Sequence, residues 1–354
     1  MATQLAYGFV NLAHLATQRV TAVGVDTIYD AIRASAEEHN RNIGELLAAW
    51  AQPTVLHQER YYLPGVGTLQ PLDEHGHPLP IAEAGFVDVG YPIQSGGTAW
   101  GGNRISWPLM RVEDADRHTV ESLKRDADWI RRHALAAVFD NVAWVFADKL
   151  FGNVTVQPLA NADGTTYVRV GGLSAVDNHY LNQAGGIADA TNPFPTIYAE
   201  LSEHASFVGP VVAYVDSTNV AAVMGLTNFV PVDDPDIVRG AGVDRLASQI
   251  SRGLGDRVLG KVDSCWVVEW RAMPANYIIA QDEGQGAFMA MREFDAADLQ
   301  GLQVKNINPG GNLPTIEYYR DAGFGVRNRI GAVVMLVSAG AYAIPAGFGA
   351  PLAI

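Results

Sequence analysis

The run Gly255-Asp256-Arg257-Val258-Leu259-Gly260-Lys261 has the glycine, four residues, glycine, lysine spacing of a phosphate-binding loop. In such a loop backbone N–H groups and the lysine cradle phosphates, and a following Ser or Thr holds magnesium. Here Val262 follows, and the run leads into a strand-like stretch instead of leaving a strand for a helix, so it carries no nucleotide chemistry. Gly172-Leu173-Ser174-Ala175-Val176 starts like a nucleophile elbow and lacks the closing glycine. His75 and His77, two apart beside Asp73 and Glu74, have donors for a metal, but a loose polar turn lacks the ordered shell a metal centre needs. They read as solvent-exposed turn residues. Asp233-Asp234-Pro235-Asp236 matches no calcium-loop spacing and reads as a solvated acidic turn. Trp266 and Trp270, four apart in a strand, share one face; like Trp100 and Trp107, they are assigned to packing rather than to ligand stacking. No catalytic, cofactor-binding or metal-ligating residue is therefore assigned, and no enzyme activity is expected.

Composition narrows the classes further. Lys+Arg number 24 against Asp+Glu 38, a formal charge of −14, which is the wrong sign for a protein that grips nucleic-acid phosphates over its whole surface. The lysines are Lys124, Lys149, Lys261 and Lys305, so positive charge is almost all arginine. The single cysteine, Cys265, excludes an intrachain disulfide framework and any multi-cysteine zinc site, and fits a reducing compartment. The first basic side chain is Arg19, so no secretory signal is expected. The uncharged stretch Gly331–Ile354 is broken by Pro345, Pro351 and several glycines and reads as a buried strand with an irregular tail, not a membrane anchor.

The elements that would position any site come next. Ile28, Ile32, Ile43, Leu46, Leu47 and Trp50 recur at helical spacing over 26–52, with Asp26 at the start and Pro53 closing the pattern. Over 54–112, Gly and Pro make up 15 of 59 residues, and aromatic and β-branched residues persist without helical period. That composition predicts a long β-hairpin with a tip near Asp73–Pro78. An isolated hairpin is marginal in water, so a neighbouring subunit is expected to cover it. Residues 113–149 carry one apolar stripe through Val120, Leu123, Ala127, Ile130, Ala134, Val138, Val142 and Val145. Glu113–Arg117, Glu121–Arg125 and Asp128–Arg132 are acid-to-base pairs at i,i+4, and Lys149 and Gly152 suit the helix end. Beyond it, helices are predicted over 197–206 and 217–224, with strands over 211–215, 262–270, 277–280 and 288–294 and one long strand over 315–337. The fold class is α+β with protruding parts.

In this order — arm, Pro/Gly-rich hairpin, spine helix, alternating α/β domain, final long strand — the chain resembles the major capsid protein of tailed bacteriophages, with the HK97-like fold. Local matches are Ala127-Asp128-Trp129-Ile130-Arg131-Arg132, Leu259-Gly260-Lys261-Val262 leading to Met273-Pro274, Phe324-Gly325-Val326-Arg327, and Ala341-Tyr342-Ala343-Ile344-Pro345. The resemblance spans nearly the whole chain. It implies an N-terminal arm over 1–53, an extended loop over 54–112 and a peripheral domain over 113–195 with its spine helix at 113–149. An axial domain over 196–285 and return strands over 286–354 complete the layout. It also implies self-assembly as hexamers and pentamers into an icosahedral virion head, built in the bacterial host cytoplasm, that encloses double-stranded DNA without sequence-specific binding. The implied partners are a separate scaffolding protein, a portal protein and a cementing or decoration protein, with no membrane. With 53 residues before the hairpin, no long scaffolding segment is expected to be cleaved from this chain. In crosslinking members of the family a loop lysine condenses with a neighbour's asparagine, with a buried glutamate assisting; residues 54–112 hold Arg60, Arg104 and Arg111 but no lysine, so no such crosslink is expected. The rival readings are an encapsulin-type nanocompartment shell and, from a different class, a soluble α+β enzyme.

Overall fold

A computed structural model describes residues 8–62, 72–78, 86–103, 105–171, 174–232, 257–307, 315–350 and 352. After a 3-10 turn (Val10–Leu15) and a one-turn helix α1 (Val20–Val23), Gly24 at φ 107° turns the chain into α2 (Val25–Leu47). Only glycine adopts that angle at little cost. Ile28, Ile32 and Ala36 bury one face of α2 in a cluster with Leu123 of α4 (Val112–Phe139) and Leu302 of β16 (Leu302–Ile307), so the helical half of the expected arm lies on its own subunit. α2 stops before Pro53, which sits in β1 (Ala51–Thr54). β1 is an edge strand, where a residue without an N–H is tolerated.

The hairpin is shorter than 54–112. Its strands are β2 (Gln58–Tyr62) and β3 (Phe86–Gly90), antiparallel with Gln58 opposite Gly90. Residues 91–112 return to the body: Tyr91 and Ile93 are buried, β4 (Gln94–Gly101) pairs with β17 (Thr315–Val326) over eight residues, and α3 (Ser106–Leu109) leads into α4. The glycines of β4 did not prevent a strand, because β17 supplies a complete hydrogen-bonding edge.

α4 also ends early, at Phe139 instead of 149. Asp140 is extended (φ −65°, ψ 139°) and its Oδ1 accepts from Val142 N at 3.0 Å. The last helical carbonyls are met from outside the helix: Leu159 N on Ala137 O (2.9 Å), Ala160 N on Val138 O (3.2 Å) and Tyr342 Oη on Phe139 O (2.7 Å). Residues beyond form the hairpin β5 (Trp144–Asp148) and β6 (Gly152–Val156), with Gly152 in its turn and Val142 and Val145 exposed. On α4 the acids pair at i,i+3, Asp114–Arg117 at 3.0 Å and Asp128–Arg131 at 2.9 Å, while Arg125 reaches Thr98 and Arg132 reaches the Gly347 carbonyl.

A small ladder of β7 (Thr166–Val168) and β8 (Ser174–Val176) precedes β9 (Tyr180–Asn182), α5 (Phe194–Ser202), β10 (Val211–Val215), α6 (Val220–Met224) and β11 (Phe229–Pro231). The strand expected over 262–270 is a hairpin, β12 (Val258–Val262) and β13 (Cys265–Glu269), turned at Asp263 with φ 50°. β14 (Tyr277–Asp282) and β15 (Met289–Arg292) follow. The long strand expected over 315–337 is two strands in two sheets, β17 and β18 (Ala332–Leu336). Arg327 N and Asn328 N both donate to Phe288 O (2.8 and 2.9 Å), and that convergence bends the chain from one sheet to the other.

The larger sheet runs β11-β12-β13-β10-β14-β18-β9; the other runs β1-β15-β17-β16, with β4 also on β17. Period-two alternation divides the larger sheet between two cores. Val211, Ala213, Val215, Ile278, Ala280, Val333 and Met335 face α5 and α6, while Val212, Tyr214, Ile279 and Val334 face Trp50, the end of α4 and Phe324 of β17. Strands buried on both faces read as continuous apolar runs, and these do.

A buried ion pair ties α4 to β17 inside this arrangement. Arg320 of β17 meets Asp126 of α4 through two bonds, Nε–Oδ1 at 2.9 Å and Nη2–Oδ2 at 2.7 Å, and also donates to Asn40 Oδ1 at 2.9 Å; His39 Nε2 lies 2.9 Å from Asp126 Oδ2. Burial alone would raise the Asp126 carboxyl, but hydrogen bonds from His39 and Arg320 and the guanidinium charge outweigh it and hold it below the ordinary range. Its stabilising effect is thus present above the ordinary carboxylate value and lost as pH falls through the lowered one. Arg320→Ala should destabilise the subunit by about 3–5 kcal/mol because it leaves a buried carboxylate uncompensated. Arg41→Ala, which breaks only the exposed pair with Glu38, should cost about 1 kcal/mol or less. Urea unfolding of the purified chain compares the two, and equal losses would show that the buried pair does not hold α4 to the sheet.

Candidate functional site: the hairpin, its anchor and a buried histidine cluster

β2 and β3 project two short strands whose shared cluster is small: Val89, Tyr91 and Ala290, with Tyr61 and Val87 against it. Arg60 bridges to Asp88 across the strands (2.7 and 2.8 Å) and lies 3.8 Å over the Phe86 ring, while Phe86, Val55 and Leu56 are about half exposed. The base, by contrast, is fixed. Arg327 Nε donates to Tyr61 Oη at 2.7 Å and its Nη1 to Gln52; Tyr61 donates to Glu59, as does Tyr91 at 3.0 Å. One layer deeper, Arg292 is sealed at 2% side-chain exposure and donates to Asp148 Oδ2 (2.8 Å) and Tyr91 O (2.9 Å). Asp148 also accepts from the amides of Ile93, Leu150 and Phe151, which joins the hairpin's return to the β5–β6 turn. Gly90 is required at this crossing, since a Cβ there would lie 2.2 Å from Val154 Cγ1 and 2.5 Å from Thr155 O.

The residues singled out for chemistry in the sequence come to little. Gly255 and Asp256 lie outside the described residues, and Gly260 and Lys261 sit in β12, an antiparallel strand with no helix opening after it. Gly172, Leu173 and 233–236 also lie outside the described residues, whereas Ala175 and Val176 belong to the β7–β8 ladder. His75 and His77 are exposed on a turn that Asp73 builds by accepting from both their amides at 2.9 and 2.7 Å. Trp270 packs edge-on against Trp50 (5.0 Å) with Trp266 beside the same core, and Trp100 donates to Tyr318 Oη at 3.1 Å.

A different set converges instead. Asp177 and His179, flanking Asn178 between β8 and β9, meet His204 just beyond α5, and all three are buried. His179 Nε2 is 3.3 Å from His204 Nε2, and His204 Nε2 is 3.3 Å from Asp177 Oδ2. Glu200 of α5 and Glu203, which caps its C-terminal end, bring carboxylates to Asp177, and Arg169 holds Glu203 at 2.8 Å. Nothing local in the sequence marks this set, because His179 and His204 lie 25 residues apart and meet only through the packing of α5. Burial pushes His179 down to about 3 and keeps it neutral; burial and the Asp177 charge push Glu200 up to about 8, and burial with Asp177 pushes Glu203 up to about 7.

These shifts have opposite signs. The lowered histidine adds stability above its unfolded value near 6.5 and withdraws it below, whereas the raised carboxyls add stability below 4.5 that is lost as pH climbs through 7 to 8. From about pH 6.5 to 8 only the carboxyls remain in play. In chelator-treated protein the unfolding free energy should therefore fall over that interval, and Glu200→Gln should remove most of the slope. Urea unfolding at a series of pH values reads this directly; an unchanged slope in the variant refutes the assignment.

No family model matches the sequence, and no curated protein matches it. Solved structures do match. One from Mycobacterium phage Patience covers 95% of this chain and 95% of its own at a TM-score of 0.64 and 19% identity. The capsid of a native GTA particle covers 83% and 90% at 0.51 and 13% identity. The fold is the HK97-like capsid fold. The capsid of the cyanophage P-SCSP1u repeats it, covering 83% of this chain and 88% of that one at a TM-score of 0.51 and 9% identity. At identities this low the capsid fold is what these chains share, so the packing pattern and not the residue list is common to them. The expected α+β class and the resemblance read from element order agree with it.

Proposed function

We propose that this chain is a major capsid protein of a tailed phage, assembling as hexamers and pentamers into an icosahedral head around double-stranded DNA. The observation that carries this reading is the match of the HK97-like capsid fold over nearly the full length of the chain. The hairpin supports it: a rigid base of buried arginine–carboxylate bonds carries strands whose apolar side chains, Phe86 among them, face solvent in the isolated subunit. Residues 113–195 would form the peripheral domain on the α4 spine, 196–285 the axial domain around the larger sheet, and 286–354 the strands that return between them. The scaffolding, portal and cementing proteins would be separate chains. A charge of −14 suits a lining that must not bind packaged DNA tightly.

Electron microscopy of the purified protein is the direct test. Closed shells are expected, and a species that stays monomeric at high concentration overturns the proposal. Nuclease-protected DNA inside particles from infected cells separates a phage head from an enzyme-filled nanocompartment.

Two outcomes follow for the hairpin. Amide exchange in β2 and β3 should slow markedly on going from free subunit to shell, and equal, strong protection in both states would contradict an inter-subunit role. Boiled particles should run as a single band near 38.0 kDa on a denaturing gel, because residues 54–112 contain no lysine to condense with a neighbour. A reductant-resistant ladder would defeat that expectation.

A further inference from the structure

We propose that Asp177, His179 and His204, with Glu200 completing the set, bind a zinc ion that pins α5 to the β7–β9 segment. Three acceptor atoms converge here. A single imidazole N–H can point at only one of the other two, whereas a cation satisfies all three at once. Asp177 Oδ2 is the telling atom: its side chain is 5% exposed, it has no hydrogen-bond partner, and it faces His204 Nε2. A buried carboxylate oxygen left in this state is costly and rare in native proteins.

The spacing fits the metal. Zinc holds nitrogen and oxygen ligands at about 2.0–2.2 Å in a tetrahedron, and the edge of such a tetrahedron is about 3.3–3.6 Å. His179 Nε2 to His204 Nε2 and His204 Nε2 to Asp177 Oδ2 are each 3.3 Å. Two imidazoles kept neutral by burial offer lone pairs without deprotonation, and nitrogen donors favour zinc over calcium or magnesium, which take oxygen ligands.

The fourth position has a candidate on the same helix. Asp177, Glu200 and Glu203 each place a carboxylate oxygen within 4.8 Å of the others. Arg169 engages Glu203 at 2.8 Å and lies 3.9 Å from Asp177 Oδ1, which leaves Glu200 to turn to the ion. Three carboxylates facing Arg169 carry surplus negative charge, which either a proton on Glu200 or a divalent cation relieves. The ring of Tyr167 stands edge-on to His179 at 5.1 Å and walls the cluster. With Glu200 turned to it as the fourth protein ligand, the ion's tetrahedron would be closed and the site a structural one. The role is structural and independent of whether the chain forms a shell.

Full-length protein, stripped with chelator and titrated with Zn2+ alone, gives the test. One equivalent per chain should be retained through gel filtration, with an upward shift in melting temperature. Co2+ in place of Zn2+ should give the intense visible absorption of tetrahedral ligation, a readout that needs no variant. His179→Ala and His204→Ala should lose the bound equivalent, while His75→Ala, on the exposed turn, should keep it. Retention below one-tenth of an equivalent by wild-type protein, or a weak octahedral Co2+ spectrum, would overturn the site and leave a proton shared between Glu200 and Asp177 as the occupant. Shell formation, scored separately by microscopy, does not decide the matter either way.

Discussion

A guanidinium enclosed in protein must be met by a carboxylate, or the structure around it fails. Asp126 and Arg320 meet that demand between the middle of α4 and the middle of β17, and Asp148 and Arg292 meet it between the β5–β6 turn and β15. β15 and β17 are neighbours in one sheet, so the two pairs act through the same slab. The first fixes where the spine helix lies; the second fixes where the chain leaves the body for the hairpin, since Arg292 also holds the Tyr91 carbonyl. An apolar contact would tolerate sliding by a fraction of a turn. A bidentate pair does not.

The hairpin shows why this matters. Beyond the Glu59–Tyr61–Tyr91–Arg327 group, its described strands have little of their own to pack against. Their register is set by the Arg60–Asp88 pair and by Gly90, which permits β3 to pass over β6. Direction is thus built in at the base, while the apolar outer face is exposed in the isolated chain. Apolar side chains such as Phe86 and Leu56 lose nothing by this if another surface always covers them, and they would be a liability in a lifelong monomer.

Element types were legible in the sequence where one periodicity ran uninterrupted. Ile28, Ile32 and Ile43 announced α2, and Leu123, Ile130, Ala134 and Val138 announced α4, because helix-period burial is written locally. Boundaries were not legible, for a common reason. α4 stops at Phe139 because Leu159, Ala160 and Tyr342 reach its last carbonyls, and β17 separates from β18 because two amides converge on Phe288. In each instance the deciding partner lies far along the chain. The histidine cluster was hidden in the same way. His179 and His204 share no motif, and the tempting near-motifs — the loop ending at Lys261 and the His75–His77 pair — sit on an antiparallel strand and an exposed turn.

Lysine scarcity and the anchored hairpin bear on one another. If contacts between subunits cannot be sealed covalently, they have to be strong enough by burial alone, and burial rewards a partner that is already shaped before it binds. Every side chain ordered in the free subunit is one whose entropy is not lost at assembly. The Arg292–Asp148 and Arg327–Tyr61 bonds order the hairpin's root in the free chain, so in the proposed assembly the cost would fall only on its outer residues. In a closed symmetric assembly each contact recurs at every equivalent position, and a modest saving per subunit multiplies with the number of copies. Arginine suits such an anchor because it stays charged when enclosed: Arg292 holds a carboxylate and a carbonyl together from one Nη. On the capsid reading proposed above, the preference for arginine that leaves residues 54–112 without a lysine would also supply the rigidity of the hairpin's root.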